Sequence, residues 1–594
     1  MGIPVDEANM MSSPLRFLHG RSGAAACSLA MLLGSTIGCT GEVAPMSRPG
    51  ATGSAGKTGS VGGTSPGTGG IKVIDTPAPP ASGWFETLKA TNCAAAPTAL
   101  PASRIWRLSA TQWQNTVAQA LGVAAPDVSA FPPDQIDPQT GFSDDSTGDK
   151  VTLPLASAYF DTSDRLAMQA APAAATAFPC LATAPIAATC AQTFVQSYGP
   201  KLFRRALTPA ESSSFAGYLA SESKLDPAPT AVISTLKAMM MSPSFFYRTE
   251  LGNSKPGPVD LTSDEIASML SYTIADVPPD ASLTQAASSG QLADPAMRTA
   301  QAERLAALPG AKAKLATFWR EYLALGDAPT TPGIDASMHT EAETFFSKVV
   351  WDNAGGLKEL LTAPYTYADS MVAQLYGSAK PAADGKLMLD PAQRAGILTS
   401  ASMLAKTSAA SQAATVIHRG LLVRERLLCT IPPPPPAAVV PDPAQIQMAG
   451  PDATAKENYA QFKMAKPGCD VCHQTFQPLG LAFEAYDAVG KFRTAYPTTN
   501  KPIDTTGELT NAGDATGPYT SVVDMAAKIG GSQIAQYCFA QQYAAFAFGR
   551  AVNVDQEACT IRSMGDFVIS KGGQARELLA SFAATPTVTR RFHQ

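Results

Sequence analysis

Ten cysteines constrain the folding of this 594-residue chain more than any other feature of its sequence. Cys27 and Cys39 lie in the N-terminal segment, and Cys469 and Cys472 share one short motif. The remaining cysteines are spread over the rest of the chain: Cys93, Cys180, Cys190, Cys429, Cys538 and Cys559. An even remainder is typical of a disulfide framework in a protein that folds in an oxidising compartment.

The spacing of these cysteines favours one disulfide and leaves the others open. A loop as short as that between Cys180 and Cys190 closes easily, and an unstrained bridge there would stabilise the fold by roughly 2–3 kcal/mol. Some of the cysteines could instead be small buried hydrophobic side chains. The predicted pairs, in order of decreasing support, are Cys180 with Cys190, Cys538 with Cys559 and, by elimination, Cys93 with Cys429.

The N-terminus is typical of an export signal. Arg16 and Arg21 precede an apolar segment over residues 24–38 that is too short and too interrupted by glycine to span a membrane. The segment ends in Thr36-Ile37-Gly38-Cys39, which resembles a bacterial lipobox and makes Cys39 the candidate lipidated residue. We therefore expect an exported protein, either an outer-membrane lipoprotein or a periplasmic or cell-surface protein, that meets the membrane only through a lipid anchor. Plain secretion and an uncleaved apolar N-terminus are the alternatives.

Composition excludes one class of partner. The formal net charge is -5, and the sequence contains no run of lysine and arginine that would bind nucleic acid. Hydrophobic residues make up 45% of the chain, which is normal for a globular protein.

The pattern along the chain predicts a mainly α, multi-domain helical protein with a C-terminal cytochrome c-like domain. Leu108, Trp113, Val117 and Leu121 recur at helical spacing, whereas strand-like alternation is scarce. The predicted segments are a signal peptide and lipobox at 1–39, a flexible Gly/Ser/Thr-rich tether at 40–92, an N-terminal helical domain at 93–228, a central helical domain at 229–385, a helical segment and Pro-rich connector at 386–450, and a cytochrome c-like haem domain at 451–594.

The pentapeptide Cys469-Asp470-Val471-Cys472-His473 carries the clearest chemistry in the chain. In a C-x-x-C-H motif the two thiols attach haem c covalently, and the histidine becomes the proximal iron ligand. A carbonyl downstream of such a motif commonly accepts a hydrogen bond from the histidine, and Pro478 is the candidate. A tetrahedral zinc site is a weaker alternative because no second C-x-x-C supplies further ligands. A local disulfide or free thiols are the remaining possibilities.

The second axial ligand of the iron is less well defined. The candidates in the predicted haem domain are Met464, Met525, Met564 and His593. Met525 lies on a predicted helix over residues 521–529, at a distance downstream that is usual for cytochromes, but it is equally well interpreted as a core methionine. A methionine ligand favours electron transfer at raised potential, whereas an open iron permits peroxide or oxygen chemistry. The apolar and aromatic segment over residues 534–550 is expected to form a helix that packs across the helix before the motif and walls the haem.

Several segments together resemble a bacterial family of exported, cytochrome-like proteins assembled from domains of unknown function, found in planctomycetes and myxobacteria. They are residues 107–108, 113–117, 121–122, 203–208, 242–248, 271–272, 279–280, 394–398, 419–420, 469–473, 478–484, 486–490 and 543–550. The resemblance implies an exported location and a haem, but it implies no particular reaction.

Three functions are consistent with these features. The first is an exported c-type cytochrome-like protein that binds one covalent haem and exchanges electrons with an unknown redox partner. The second is a haem oxidase or peroxidase that acts on an extracellular substrate, such as a polymeric ligand held by the helical domains. The third is a surface binding or scaffold protein with a structural haem or none. The sequence does not decide whether the protein is an enzyme.

Overall fold

Helices dominate the computed structural model, in agreement with the predicted mainly α class. The structure describes residues 72–73, 83–94, 99–143, 150–253, 255–325, 334–377, 380–409, 411–430, 432, 449–450 and 452–593. The predicted signal peptide, Cys39, most of the tether and most of the proline run therefore lie outside the described residues. The described helices are α1 (Trp84–Ala90), α2 (Ala110–Leu121), α3 (Leu153–Ala177), α4 (Ala188–Phe203), α5 (Pro209–Glu222), α6 (Ala228–Met240), α7 (Pro243–Phe246), α8 (Ser263–Ala275), α9 (Ala281–Ser288), α10 (Pro295–Ala306), α11 (Pro309–Tyr322), α12 (Ile334–Ser347), α13 (Leu357–Thr362), α14 (Ser370–Leu375), α15 (Ala401–Lys406), α16 (Gln412–Leu422), α17 (Ala455–Ala465), α18 (Pro467–His473), α19 (Gln477–Leu481), α20 (Val522–Gly530), α21 (Gln533–Phe548), α22 (Val554–Ser570) and α23 (Leu578–Ser581).

Short strands join segments that are distant in the sequence. β3 (Arg104–Arg107) pairs with β4 (Tyr247–Glu250), and β10 (Arg590–His593) pairs with β5 (Gly257–Asp260). Both pairs are antiparallel, so segments near the two ends of the described chain meet its middle. The strands are β1 (Lys72–Val73), β2 (Ala99–Leu100), β3 (Arg104–Arg107), β4 (Tyr247–Glu250), β5 (Gly257–Asp260), β6 (Tyr365–Tyr367), β7 (Lys386–Met388), β8 (Gly507–Leu509), β9 (Gly517–Tyr519) and β10 (Arg590–His593). The described residues all belong to one compact unit. The domain boundaries inferred from the sequence remain predictions.

Local sequence signals determine several helix ends. Ser109 caps α2 in a reciprocal capping box with Gln112, and Gly122 ends the helix in the left-handed conformation. Capping boxes also open α5 at Thr208 and α8 at Thr262. None of the helices within the described residues combines enough length and apolar character to span a bilayer.

Two sequence predictions differ from the structure. Part of the predicted tether folds as α1, because Trp84, Phe85 and Leu88 are buried against the main core. Helix α21 does not wall the motif. Its aromatic side chains contact residues 85, 142, 318 and 322 instead, because most of the helix is buried in the main core.

Three disulfides connect the described cysteines outside the motif. The Cys180–Cys190 prediction is confirmed. The other two predicted pairs are wrong, because Cys538 on α21 and Cys559 on α22 are bonded to two different cysteines and not to each other. The observed bridges join Cys429 to Cys538 and Cys93 to Cys559.

A buried carboxylate ties the two chain ends to the middle. Glu250 on β4 is 1% exposed and accepts hydrogen bonds from Arg104 of β3 at 2.7 Å and from Arg591 of β10 at 2.8 Å. Burial by itself raises the pKa of Glu250, but the charges of Arg104 and Arg591 outweigh it and leave the pKa well below its ordinary value. Glu250 is therefore ionised in the fold and shared by two distant strands.

Helices α16 and α19 meet at their backbones. A Cβ atom added at Gly480 would overlap the carbonyl oxygen of Val416, and one added at Gly420 would overlap the carbonyl oxygen of Phe476. Only glycine permits this approach, which fixes the segment immediately after the C-x-x-C-H motif.

A second buried carboxyl, Glu341 of α12, lies beside a tyrosine. The hydroxyl of Tyr376 is 2.7 and 2.8 Å from its two oxygens, and Thr366 donates a further hydrogen bond at 2.9 Å. Burial raises the pKa of Glu341 to about 7, although these hydrogen bonds and the charge of Arg394 oppose the shift.

Replacing Glu250 should destabilise the whole unit. We expect Glu250→Gln to lower the free energy of unfolding by roughly 3–5 kcal/mol, because the buried guanidinium of Arg591 and the partly buried one of Arg104 lose their counter-charge. Urea unfolding measures the change. Glu343→Gln is the matched control, since Glu343 pairs with Arg320 at the exposed surface and its loss should cost about 1 kcal/mol or less. Equal effects of the two variants would contradict the role given to Glu250.

Gly480→Ala should destabilise the motif region by roughly 1–3 kcal/mol, because the added methyl group forces α19 away from α16. The control is Gly217→Ala within α5, where an added Cβ meets no atom within 4 Å. Thermal unfolding of the two variants should give a lower midpoint for Gly480→Ala alone. A midpoint at or above the wild-type value would show that the helices separate without cost.

Glu341 should make stability fall with rising pH. Its folded-state pKa of about 7 lies above the ordinary 4.5, so its contribution is complete below pH 4.5 and is lost as the pH rises through about 7. We expect the urea midpoint to fall between about pH 5 and about pH 8 in the wild type, and to fall less in Glu341→Gln, which resembles the neutral acid. Identical pH profiles for the two proteins would contradict this.

Candidate functional site

The C-x-x-C-H motif forms a short helix of its own. Helix α17 begins at the capping residue Thr454, and α18 follows it after Lys466 and contains the complete motif. Residues three apart on a helix lie on the same face, so the thiols of Cys469 and Cys472 are neighbours on one turn. Both thiols are free and half-buried, whereas the other cysteines within the described residues are paired.

His473 sits between two aromatic rings. The ring centres of Phe462 on α17 and Phe476 before α19 are 4.8 and 4.9 Å from the imidazole centre. Burial lowers the pKa of His473 below 6.5, although Gln477 and Asp470 oppose the shift. Burial thus favours the neutral imidazole, which is the form that binds a metal ion.

The hydrogen-bond partner of His473 differs from the one expected. Its Nδ1 atom is 3.2 Å from Oε1 of Gln477, while the carbonyl of Pro478 accepts a hydrogen bond from the hydroxyl of Tyr519 at 2.7 Å. Pro478 therefore anchors β9 to the motif region rather than contacting the imidazole. His473 ends α18 and Gln477 begins α19, so the contact forms across the turn between two helices and no helical spacing in the sequence indicates it.

The surroundings of the thiols are apolar on the inner side. Cys469 packs against a small hydrophobic cluster that includes Tyr459 and Phe462 of α17 and Leu481 of α19. The outer side carries two exposed apolar side chains, Val471 at 65% and Met464 at 73% exposure. Cys469 is thus in contact with buried apolar side chains, and two further apolar side chains of this region are exposed.

Buried arginines hold the segment that follows the motif. Arg424 donates to the carbonyl of Thr475, and Arg394 donates to the carbonyl of Gly490. Arg419 donates to the carbonyls of Phe483 at 3.1 Å and Asp487 at 3.0 Å. Each of these arginines is at most 2% exposed, so together they hold the backbone of residues 475–490 from the interior of the protein.

Met525 lies in the main core. It is fully buried on the inner face of α20 with Val522 and Ile529. Its burial favours the interpretation as a core methionine, which the sequence left open. No group of three or more His, Cys, Asp or Glu side chains in the described part of the chain is placed to hold a metal ion.

Comparison with known families assigns four parts of the chain. Each matched model describes a protein of unknown function: DUF1587 (PSD3) at residues 106–172, DUF1595 (PSD5) at 190–250, DUF1592 (PSD4) at 261–378 and DUF1588 (PSCyt3) at 394–496. The last match contains the motif, Gly420, Gly480 and the three buried arginines. No curated protein and no solved structure gives a significant match. The chain is thus a multi-domain protein that carries these four domains of unknown function in this order.

Proposed function

We propose that this protein is an exported c-type cytochrome-like protein that binds one covalent haem and serves as an electron-transfer module. One observation carries the proposal. Cys469 and Cys472 stay outside the disulfide framework and lie on one helical turn beside a half-buried His473.

The residues present are chemically suited to haem c. The two thiols would form the thioether bonds, and Nε2 of His473 would be the proximal iron ligand. The apolar cluster behind Cys469 and the exposed Val471 and Met464 would lie against an apolar macrocycle. A haem bound here supplies one-electron chemistry, while the chain supplies attachment, one axial ligand and a partly apolar setting.

An oxidising compartment fits the same proposal. Three disulfides are typical of exported proteins, and covalent haem attachment also takes place outside the cytoplasm. The lipobox-like segment ending at Cys39 would anchor the protein to the outer membrane; a periplasmic or cell-surface form is the alternative. The redox partner is not identified by any feature of the chain.

The alternative function is a haem oxidase or peroxidase that acts on an extracellular substrate, including a polymeric one. It depends on the second axial position of the iron. Met525 belongs to the main core, whereas Cys469 packs against a separate apolar cluster, and this separation is the observation on which the alternative rests.

Covalent haem should depend on the motif cysteines. We expect the wild type, exported from a host with a cytochrome c maturation system, to retain haem on a denaturing gel and to add one haem mass to the 469–473 peptide. Cys472→Ala should lose most of this staining, and Cys469→Ala with Cys472→Ala all of it, because the thioether bonds cannot form. Val471→Ala is the control, since it leaves C-x-x-C-H intact.

A wild-type protein without haem would overturn the proposal. Cyanide and peroxide then separate the two haem functions. A low-spin ferric spectrum that neither reagent changes supports electron transfer, whereas rapid cyanide binding supports the oxidase or peroxidase.

A further inference from the structure

The side chain of Gln477 is the distinctive feature of the imidazole environment. It is 8% exposed, and its Oε1 atom is 3.2 Å from Nδ1 of His473. An amide oxygen can only accept a hydrogen bond, so in this contact Nδ1 carries the proton. The other nitrogen, Nε2, then keeps its lone pair.

We propose, on the basis of the function proposed above, that Gln477 is a positioning residue that fixes the tautomer and orientation of His473 and tunes its electron donation to iron. A hydrogen bond from Nδ1–H makes an imidazole a stronger donor, and such outer partners set the properties of metal sites.

The neighbouring acceptors are already engaged. The carbonyl of Pro478 accepts from Tyr519, and the carboxylate of Asp470 accepts from Tyr459 at 2.9 Å and lies 3.9 Å from Lys463. Gln477 is therefore the hydrogen-bond partner that the described residues provide to the Nδ1 atom of His473.

The backbone holds Gln477 in place. It is the first residue of α19, and the close approach of Gly480 to Val416 and of Gly420 to Phe476 fixes that helix against α16. The carbonyl bonded by Arg424 belongs to Thr475, two residues earlier. The side chain thus projects from an immobilised turn, which is what the orientation of an axial ligand requires.

The strength of the hydrogen-bond acceptor at position 477 should control the reduction potential of the bound haem. A carboxylate at position 477 accepts the proton more strongly than an amide, and an aliphatic side chain does not accept it at all. Stronger donation by His473 stabilises ferric over ferrous iron. The midpoint potential should therefore fall in the order Gln477→Leu, wild type, Gln477→Glu.

The test measures haem content and midpoint potential of these full-length proteins at neutral pH. Gln474→Leu is the matched control, because Gln474 is exposed and its amide donates to the carbonyl of Val471 rather than to the imidazole. We expect all variants to hold one covalent haem, with the control at the wild-type potential and the two Gln477 variants displaced in opposite directions.

Each outcome is decisive. Equal potentials across the series, or shifts of the same sign for leucine and glutamate, would show that Gln477 only packs against the ring and would overturn this proposal while leaving haem attachment standing. If Gln477→Leu does not fold, Gln477→Glu alone decides, since a potential at or above the wild-type value contradicts the proposal. A wild type without haem overturns both proposals.

Discussion

The ion pair cluster at Glu250 is the constraint on which the rest of the architecture depends. It joins Arg104, which is near the start of the described fold, to Arg591, which is near its end. The shared carboxylate is buried, so its energy is available only if all three strands are in place together. For this reason the four matched domains are parts of one compact unit and not independent units joined by linkers. The segment after the motif domain must return across the first half of the chain, and the Cys93–Cys559 bridge reinforces that return.

The candidate haem site depends on long-range contacts of the same kind. The C-x-x-C-H helix itself is short, and a short helix is unstable alone. The segment that follows the motif immobilises this helix. Buried arginines donate hydrogen bonds to the backbone carbonyls of that segment, and two glycines let α16 and α19 approach each other closely. This explains in physical terms why Arg419-Gly420 and Pro478-Leu479-Gly480 accompany the motif. Arg419 bonds backbone carbonyls of that segment, and Gly420 and Gly480 permit a close backbone approach that a larger side chain would prevent.

The sequence was sufficient wherever the determining interaction is local. The capping boxes at Ser109, Thr208 and Thr262 were predictable because both partners lie within one turn. The Cys180–Cys190 bridge was predictable because its loop is short. Predictions failed where two remote segments had to be compared. The apolar helix α21 could be recognised as buried, but its hydrophobicity carries no information on which neighbours bury it.

By itself, the sequence determined the mainly α class, an even cysteine framework and a C-x-x-C-H pentapeptide whose chemistry is specific to those residue types. Only the tertiary structure decided that Cys538 meets Cys429 rather than Cys559, that Met525 enters the core, and that Gln477 rather than Pro478 contacts the imidazole of His473. The physical reason is that a side chain's direction within a packed fold depends on helices brought together over hundreds of residues. A local pattern specifies which groups are present but not which of them face each other.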